Sequence, residues 1–524
     1  MKRAMGLVAA ALLFMAGVCD AAAKDFRWSN DADVFSMDPH ARAEVFTFGF
    51  LNNIYEGLVQ RNREFKVEPA LAASYSNPEP TRWRFEIRQG VKFHEGQALT
   101  ADDVVFSFER AKLSPDMRSR VGAIKEIRKV DDYTVDFILV QPDLIFPANI
   151  QDVYILSKAW CEAHDTAKPY DYRTQGESYA HRRTNGTGPF QLVLREPGVK
   201  TVTEAFAGWW GKREHNLDKV EFRVIGSDAT RVAAFLSGEI DWLYAVPPQD
   251  QQRLSQTPKV KMMRGVETRV MYFVLNVAPA PLPDSDIKDK NPMSDLRVRQ
   301  AMYQAIDINA IVSKTMRGAA QATGLVVAPA TNGYNKEIDH RLPYDPARSR
   351  ALLAEAGYPN GFSLTMHCSN DRYVNDDEVC AAAVGMLGRV GIKVNLVAQS
   401  KTRFVPLVDQ DKTVMSIQGY SSSTIDALNV ISRLFATTDT KKSYGTVNVG
   451  HYSNPKIDAL TDQISLEQDN DKRNELIRQA LVIIRDDLPV LPLYDQMLAW
   501  AVRPNIDMFQ PPNNTTPLRY ARIN

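Results

Sequence analysis

The chain lacks an excess of either charge. Its 524 residues carry 63 Lys and Arg against 63 Asp and Glu. A surface balanced in this way does not attract a polyanion by bulk charge, so we expect neither nucleic acid nor an anionic membrane as a partner. Apolar residues make up 44% of the chain and charged residues 24%, which is typical of a soluble globular protein. The length predicts two or three domains.

Long hydrophobic runs are also missing, except at the N-terminus. Lys2 and Arg3 precede the uncharged stretch Ala4–Cys19, and small residues follow it as far as Ala23. This order predicts a secretory signal that is cleaved after Ala23, because the apolar run is shorter than a membrane span requires. Removing residues 1–23 leaves one net negative charge. We therefore expect the mature protein in the periplasm.

Cysteine is scarce, with four in the chain. Cys19 lies in the predicted signal and suggests an alternative, a lipoprotein anchor, although Val18 stands where such signals prefer Gly or Ala. In an oxidising compartment Cys368 and Cys380 are the predicted disulfide pair. Cys161 has no obvious partner, and the alternative is that all three remaining cysteines are buried free thiols.

Catalytic motifs are absent from the sequence. It contains no Gly-x-Ser-x-Gly, no His-Glu-x-x-His and no Walker loop. His367 and Cys368, with Asp371 nearby, could suggest a metal site. However, adjacent residues of a strand point to opposite faces and could hardly bind one ion. We predict no enzyme, metal or cofactor. One alternative is a secreted hydrolase with a dispersed active site. Another is a receptor that does not transport its ligand but presents it to a sensor or acts as a chaperone.

The stretch from Thr81 to Arg110 carries the clearest pattern that is present. Trp83, Phe85 and Ile87 alternate with charged residues, which predicts a half-buried strand. Thr100 lies three residues before Asp103 and just ahead of an apolar run. This spacing predicts a capped helix N-terminus.

The same stretch resembles the signature region of the family 5 solute-binding proteins, the dipeptide-, oligopeptide- and nickel-binding receptors of bacterial ABC importers. Arg88–Gly96 reads Arg-Gln-Gly-Val-Lys-Phe-His-Glu-Gly, and Thr100–Val104 reads Thr-Ala-Asp-Asp-Val. Other segments that resemble the family are spread over nearly the whole mature chain, from Met37-Asp38-Pro39-His40 through Tyr55–Val59, Gly186–Phe190 and Arg297–Ala301 to Tyr452–Pro455.

The resemblance implies an α/β fold of the two-lobed, Venus-flytrap type with an extra inserted subdomain. We expect lobe I at 24–67, 185–275 and 490–524, with the inserted subdomain at 68–184. We expect lobe II at 276–489. In such proteins two lobes close over the ligand as a hinge.

The resemblance also implies a receptor that captures a peptide or similar solute and delivers it to the permease and ATPase of an ABC importer, as a monomer. Non-peptide solutes such as opines, oligosaccharides or metal chelates are the alternative. A binding cleft needs aromatic walls and a few polar groups, although each aromatic could instead belong to the core. The predicted ligand-binding residues are Phe46, Trp242, Asn276, Tyr420, Ser421, Asp426 and Tyr494.

The stretch around Gln418 and Tyr420 departs from the family pattern. Peptide-binding members carry Trp near the first position and Asp near the second, and that carboxylate meets the α-ammonium group of the peptide. Losing it would leave an ammonium group poorly compensated inside a closed cleft. Our hypothesis is that this receptor does not use that ionic pair, although Asp426 could supply the charge from a loop of different length.

Overall fold

The computed structural model describes residues 23–174 and 178–524. The predicted signal segment before Ala23, including Cys19, therefore lies outside the described residues. The strands, in chain order, are β1 Asp25–Asn30, β2 Val59–Arg61, β3 Val67–Pro69, β4 Ala72–Glu79, β5 Arg82–Ile87, β6 Ile124–Asp131, β7 Thr134–Leu139, β8 Phe190–Glu196, β9 Lys200–Ala205, β10 Lys219–Val224, β11 Trp242–Leu243, β12 Lys261–Leu275, β13 Ala320–Ala322, β14 Phe362–Ser369, β15 Ile392–Gln399, β16 Met415–Ser421, β17 Val490–Val502, β18 Ile506–Asp507 and β19 Arg522–Ile523.

Helices of very different length alternate with these strands. They are α1 Val45–Leu51, α2 Ala101–Lys112, α3 Arg118–Val121, α4 Phe146–Asn149, α5 Lys158–Ala163, α6 Tyr179–Arg182, α7 Asp228–Ser237, α8 Pro248–Ser255, α9 Leu296–Ala305, α10 Ile308–Ala310, α11 Pro346–Glu355, α12 Asp376–Gly388, α13 Lys401–Asp409, α14 Ala427–Val430, α15 Pro455–Leu466 and α16 Asn470–Asp487. Short 3-10 turns lie at Pro115–Met117, Pro292–Ser294 and Leu518–Tyr520, and π-helical turns at Ile311–Thr315 and Ile431–Phe435.

One mixed sheet extends through both lobes. Its strand order is β15-β14-β16-β12-β17-β11-β1-β10-β9-β8, with β13 also paired to β17. The long strands β12 and β17 pair with each other in both lobes and therefore form the covalent and hydrogen-bonded link between them. The predicted α/β class and the two lobes are confirmed.

The hydrophobic cores shift the lobe boundary by about six residues on each crossing strand. Sequence analysis placed it at 275/276 and 489/490. In the structure the apolar side chains of Val270–Leu275 and of Val490–Tyr494 pack in the clusters of lobe II. The last part of β12 and the first part of β17 belong to the cores of lobe II. The two strands therefore pass between the lobes in their middle and not at their ends.

The inserted subdomain contains a four-stranded antiparallel sheet in the order β4-β5-β7-β6. Trp83, Phe85 and Ile87 are buried on one face of β5, as the alternation predicts. The backbone N–H of Thr100 donates to the Asp103 carboxylate at 2.9 Å at the start of α2. The core of this subdomain is continuous with that of lobe I.

Each lobe contains a parallel strand–helix–strand unit. In lobe I, β10 and β11 lie on either side of β1 and run parallel to it. In lobe II, β14 and β15 pair in parallel, and a disulfide joins Cys368 of β14 to Cys380 of α12, with the Cα atoms 6.7 Å apart. Cys161 is a buried free thiol, and burial raises its pKa to about 11.

The described residues contain neither a candidate membrane span nor a candidate metal cluster. Within residues 23–174 and 178–524, none of the helices has both the length and the apolar character to cross a membrane. Over the same residues, no three His, Cys, Asp or Glu side chains come together as a metal site.

Candidate functional site

The regular pairing of β12 and β17 stops where these strands pass between the lobes. Val266 pairs with Met497 and Val270 pairs with Asp495, so three residues of β12 lie opposite Gln496 alone. Such a β-bulge bends the strand and changes the direction of its side chains. At this crossing Glu267 and Thr268 are buried, and Arg269 is partly exposed.

Glu267 is the acceptor at the centre of the crossing. One carboxylate oxygen accepts from the Gln496 amide at 2.8 Å, and the other faces Nε of Arg269 at 3.4 Å. The Glu267 charge is the largest cause that raises the pKa of Arg269 above its usual value. Tyr373 of lobe II and Tyr244 of lobe I also contribute to raising the pKa of Arg269.

A second guanidinium group approaches the same aromatic ring. The guanidinium carbon of Arg372 lies 4.9 Å from the centroid of the Tyr373 ring, and that of Arg269 lies 5.9 Å from it. Arg372 donates to the side-chain oxygen of Gln418 at 3.2 Å, and within the described residues it makes no ion pair with a carboxylate. Most of the five guanidinium N–H donors of Arg372 therefore remain available at an exposed position.

Strand β16 has a free edge beside these cations. Strand β14 pairs with it only at Met415 and Ser416. Beyond this point the N–H of Gly419 donates to the Tyr373 hydroxyl at 3.0 Å, and the Gly419 carbonyl faces the same hydroxyl at 3.5 Å. Backbone groups two residues apart along a strand face the same edge, so the polar backbone groups of Ser421 point outward as well.

In lobe I, Tyr244 and Phe46 pack together on the hydrophobic core and form what we call the aromatic wall. The Tyr244 hydroxyl donates to the carbonyl of Asn514 at 2.8 Å, and the half-buried ring of Phe46 packs 5.9 Å from the Tyr244 ring, centroid to centroid. Ala245 follows with φ of 55°, a left-handed conformation that costs a non-glycine residue free energy and is common at binding sites.

Three of the sequence-predicted ligand residues lie in a hydrophobic core or far along β12 from the crossing. Trp242 is fully buried and stacks on Trp28 at 4.7 Å, and Tyr494 is 1% exposed in the core of lobe II. Asn276 lies beyond the far end of β12, roughly 20 Å from Arg269 at the usual rise of a strand, and its side chain caps the N–H of Ala278. A role of these three residues in ligand binding stays a prediction.

The remaining predicted residues are near the crossing. The Ser421 hydroxyl lies 2.7 Å from that of Thr268, and the half-buried Tyr420 donates its hydroxyl to Asn429. Asp426 is 2% exposed. Its carboxylate is occupied by Arg473, by Asn332 and by the N–H of Leu428 at the start of α14.

Sequence reasoning missed Arg372 and Tyr373 as site residues. They follow β14, which runs parallel to both β15 and β16. In α/β sheets ligands bind outside the carboxyl ends of parallel strands. Applying this rule to the strand predicted at Phe362–Met366 could have identified Arg372 from the sequence.

Comparison with known proteins relates this arrangement to one family. The family described as "Bacterial extracellular solute-binding proteins, family 5 Middle" matches residues 66–442. Glutathione-binding protein GsiB of Escherichia coli (strain K12) is 28% identical over 501 residues, which cover 94% of this chain and 93% of that protein.

Solved structures match the fold over nearly the whole chain. The periplasmic binding protein DppA from Helicobacter pylori, in complex with peptide STSA, has 24% identity and a TM-score of 0.77, covering 95% of this chain and 97% of that one. AgaA from A. tumefaciens R10, in complex with agropinic acid, has 21% identity and a TM-score of 0.75, covering 95% and 99%. At these identities the likeness is evidence for the fold.

Proposed function

Because this chain belongs to the bacterial extracellular solute-binding proteins of family 5, we propose that it captures a short peptide or a peptide-like solute between its lobes. It then delivers this solute to the permease and ATPase of an ABC importer. The observation that carries the proposal is the unpaired edge of β16 at Ser421, close to the guanidinium group of Arg372, which stacks on Tyr373.

The free edge suits the main chain of an extended ligand. An added strand can exchange N–H and C=O bonds with the outward backbone groups of Ser421, as in other cases of strand addition. Main-chain bonds of this kind supply affinity without reading the ligand side chains. The aromatic wall formed by Phe46 and Tyr244 would cover the opposite side of the ligand when the lobes close.

Arg372 and Arg269 suit the acidic end of such a ligand. Arg372 has no carboxylate partner among the described residues, and a guanidinium group binds a carboxylate through paired, charge-assisted hydrogen bonds. Arg269 is already placed beside Glu267, so Arg372 is the primary partner that we assign to a ligand carboxylate.

The amino end of the ligand has no comparable partner on lobe II. Asp426 is the acid of the loop that follows β16, and Arg473, Asn332 and Leu428 occupy it. This supports the hypothesis that the receptor does not fix an α-ammonium group through Asp426. Backbone carbonyls and the hydroxyls of Ser421 and Ser423 are the acceptors that remain nearby.

The relatives support a peptide-like ligand and not one particular solute. GsiB is named as a glutathione-binding protein and DppA was solved with the peptide STSA. By analogy with the family we propose a monomer that works in the periplasm after removal of residues 1–23.

Calorimetric titration with three probes tests this function. Trialanine, reduced glutathione and C-terminally amidated trialanine are titrated into protein that has been unfolded, dialysed and refolded to remove endogenous ligand. We expect at least one of the two free acids, trialanine and glutathione, to bind. The amidated trialanine should bind about ten-fold or more weakly than trialanine, because a charged hydrogen bond is lost. A probe concentration of about 1 mM detects sites with a dissociation constant on the order of 1 mM. If neither free acid binds at this concentration, the proposal is contradicted.

A further inference from the structure

A single arginine of lobe I donates to the loop that follows β16 in lobe II. Nη2 of Arg61, at the end of β2, lies 2.9 Å from the carbonyl oxygen of Thr424. Nη1 of the same side chain donates to the carbonyl of Phe65 at 2.7 Å, and the guanidinium group stacks over the Phe65 ring at 4.9 Å. The β2–β3 hairpin therefore holds the guanidinium group in place and directs one nitrogen at the other lobe.

Arg61 is not placed there by an ion pair. Burial lowers its pKa to about 10, and among the described residues it forms no salt bridge. A buried cation without a carboxylate is costly unless its hydrogen bonds compensate. The bond to Thr424 is the one that depends on the position of lobe II.

The loop that receives this bond is held rigidly. Ile425 has φ of 57°, which is strained for a β-branched residue. Its carbonyl accepts from the N–H of Asn332 at 3.0 Å. The Ser422 hydroxyl bonds to both the N–H and the carbonyl of Asp426. These bonds tie the loop to lobe II, so the position of the Thr424 carbonyl depends on lobe II.

The contact is part of a wider interlobe groove. A groove of about 980 Å³ is lined by Arg61, Phe65 and Trp83 from the lobe I side and by Asn332, Thr424 and Asp426 from lobe II. Arg61 and Thr424 thus join the lobes across a gap that is otherwise incompletely filled. The bond lies within three residues of Ser421, whose backbone we assign to the ligand.

We propose that Arg61 is a closure latch, a positioning residue that binds the Thr424 carbonyl in the closed conformation and so prolongs ligand binding without touching the ligand. The inference rests on the proposed function, since it assumes that the lobes close over a solute. A bond present only in the closed state favours closure, and the apparent affinity of a ligand scales with the population of the competent state.

Kinetics separate a latch from a structural contact. We expect R61M, which retains an unbranched stem over Phe65 but no donor, to release trialanine or glutathione about ten-fold faster, the effect of one charged hydrogen bond. Its association rate should change by less than about three-fold, because differences of this kind appear mainly in dissociation. The melting temperature of the ligand-free protein should stay close to that of the wild type.

Arg63 offers a matched control in the same hairpin and groove. Its guanidinium group pairs with Glu214 of lobe I at 2.8 Å, so it does not bridge the lobes. R63M should therefore leave the dissociation rate unchanged. Equal dissociation rates in R61M and R63M would overturn the latch.

A failure of the Arg61 latch can be distinguished from a failure of the proposed function. If neither trialanine nor glutathione binds the wild type, the proposal of a peptide-like ligand is rejected. The latch is then tested by small-angle X-ray scattering of the ligand-free proteins. A larger radius of gyration in R61M than in both wild type and R63M supports the latch. Identical radii overturn it.

Discussion

Arg473 holds the carboxylate of Asp426 through both of its terminal nitrogens, at 2.9 and 2.8 Å, in the core of lobe II. Each side chain is 3% exposed. The pair connects α16 to the N-terminus of α14 and fixes the loop that Arg61 contacts from lobe I. The Asp426 carboxylate is thus occupied by Arg473 in this structure, and its predicted role in ligand binding stays a prediction.

Breaking this pair should destabilise the protein. We expect D426N to lower the free energy of unfolding by about 3–5 kcal/mol, because Arg473 is left as an uncompensated buried charge. The double variant D426N/R473Q should lose less than D426N, since neither residue is then charged. Urea denaturation midpoints of the three proteins measure this, and a double variant less stable than D426N would contradict the assignment.

Arg372 should decide affinity for a ligand carboxylate. We expect R372M to bind trialanine about ten-fold or more weakly, because a charge-assisted pair is lost. Binding of the amidated peptide should hardly change. Calorimetric titration measures both, with R403M as the control, because Arg403 is exposed on α13 of the same lobe. Equal losses for both peptides would show that Arg372 does not contact the carboxylate.

Asp495 should make stability fall as the pH rises. Both of its oxygens are buried without a hydrogen bond from the described residues, and burial, with the nearby Asp339 charge, raises its pKa to about 8. The folded state therefore keeps a proton that the unfolded state loses near pH 4. Between about pH 4 and pH 8 the free energy of unfolding falls by up to about 1.4 kcal/mol per pH unit from this group.

The variant D495N tests that dependence. Asn is neutral at every pH in this range, so the decline in melting temperature from pH 5 to pH 8 should be smaller than in the wild type. The exposed Asp409 provides D409N as a control that keeps the wild-type slope. A D495N protein with an unchanged slope would mean that Asp495 is ionised in the folded state.

The disulfide should stabilise lobe II measurably. Cys368 and Cys380 close a short loop, with twelve residues of sequence separation, which corresponds to about 3 kcal/mol in the chain-entropy account. We expect the variant C368S/C380S to lose about this much in guanidinium denaturation. C161A, which removes the free buried thiol, is the control and should lose less.

The sequence predicted most of the secondary structure around its strongest patterns. The alternation at Trp83, Phe85 and Ile87 became the buried face of β5, and the spacing of Thr100 and Asp103 became the start of α2. These features depend on residues close together in the chain. They could therefore be recognised without knowing how the lobes are arranged.

The candidate site was more difficult to predict, because the presence of an aromatic residue in the sequence does not determine whether its ring is buried in a core or lines a cleft. Trp242 and Tyr494 are buried, whereas Phe46 packs against Tyr244 at the wall of lobe I. Arg372 was missed because its neighbours at the crossing are remote in sequence. The position of Arg269 beside Tyr373 depends on how β12, β16 and the segment after β14 assemble.

By itself, the sequence determined the family resemblance, which is carried by motifs of fixed spacing. The α/β class and the two-lobed architecture followed as what that resemblance implies. Only the tertiary structure showed that Arg473 binds the Asp426 carboxylate, because the partner of a buried carboxylate depends on which distant residues pack against it. It also decided that Arg61 reaches Thr424, a contact between residues separated by 363 positions that no local pattern encodes.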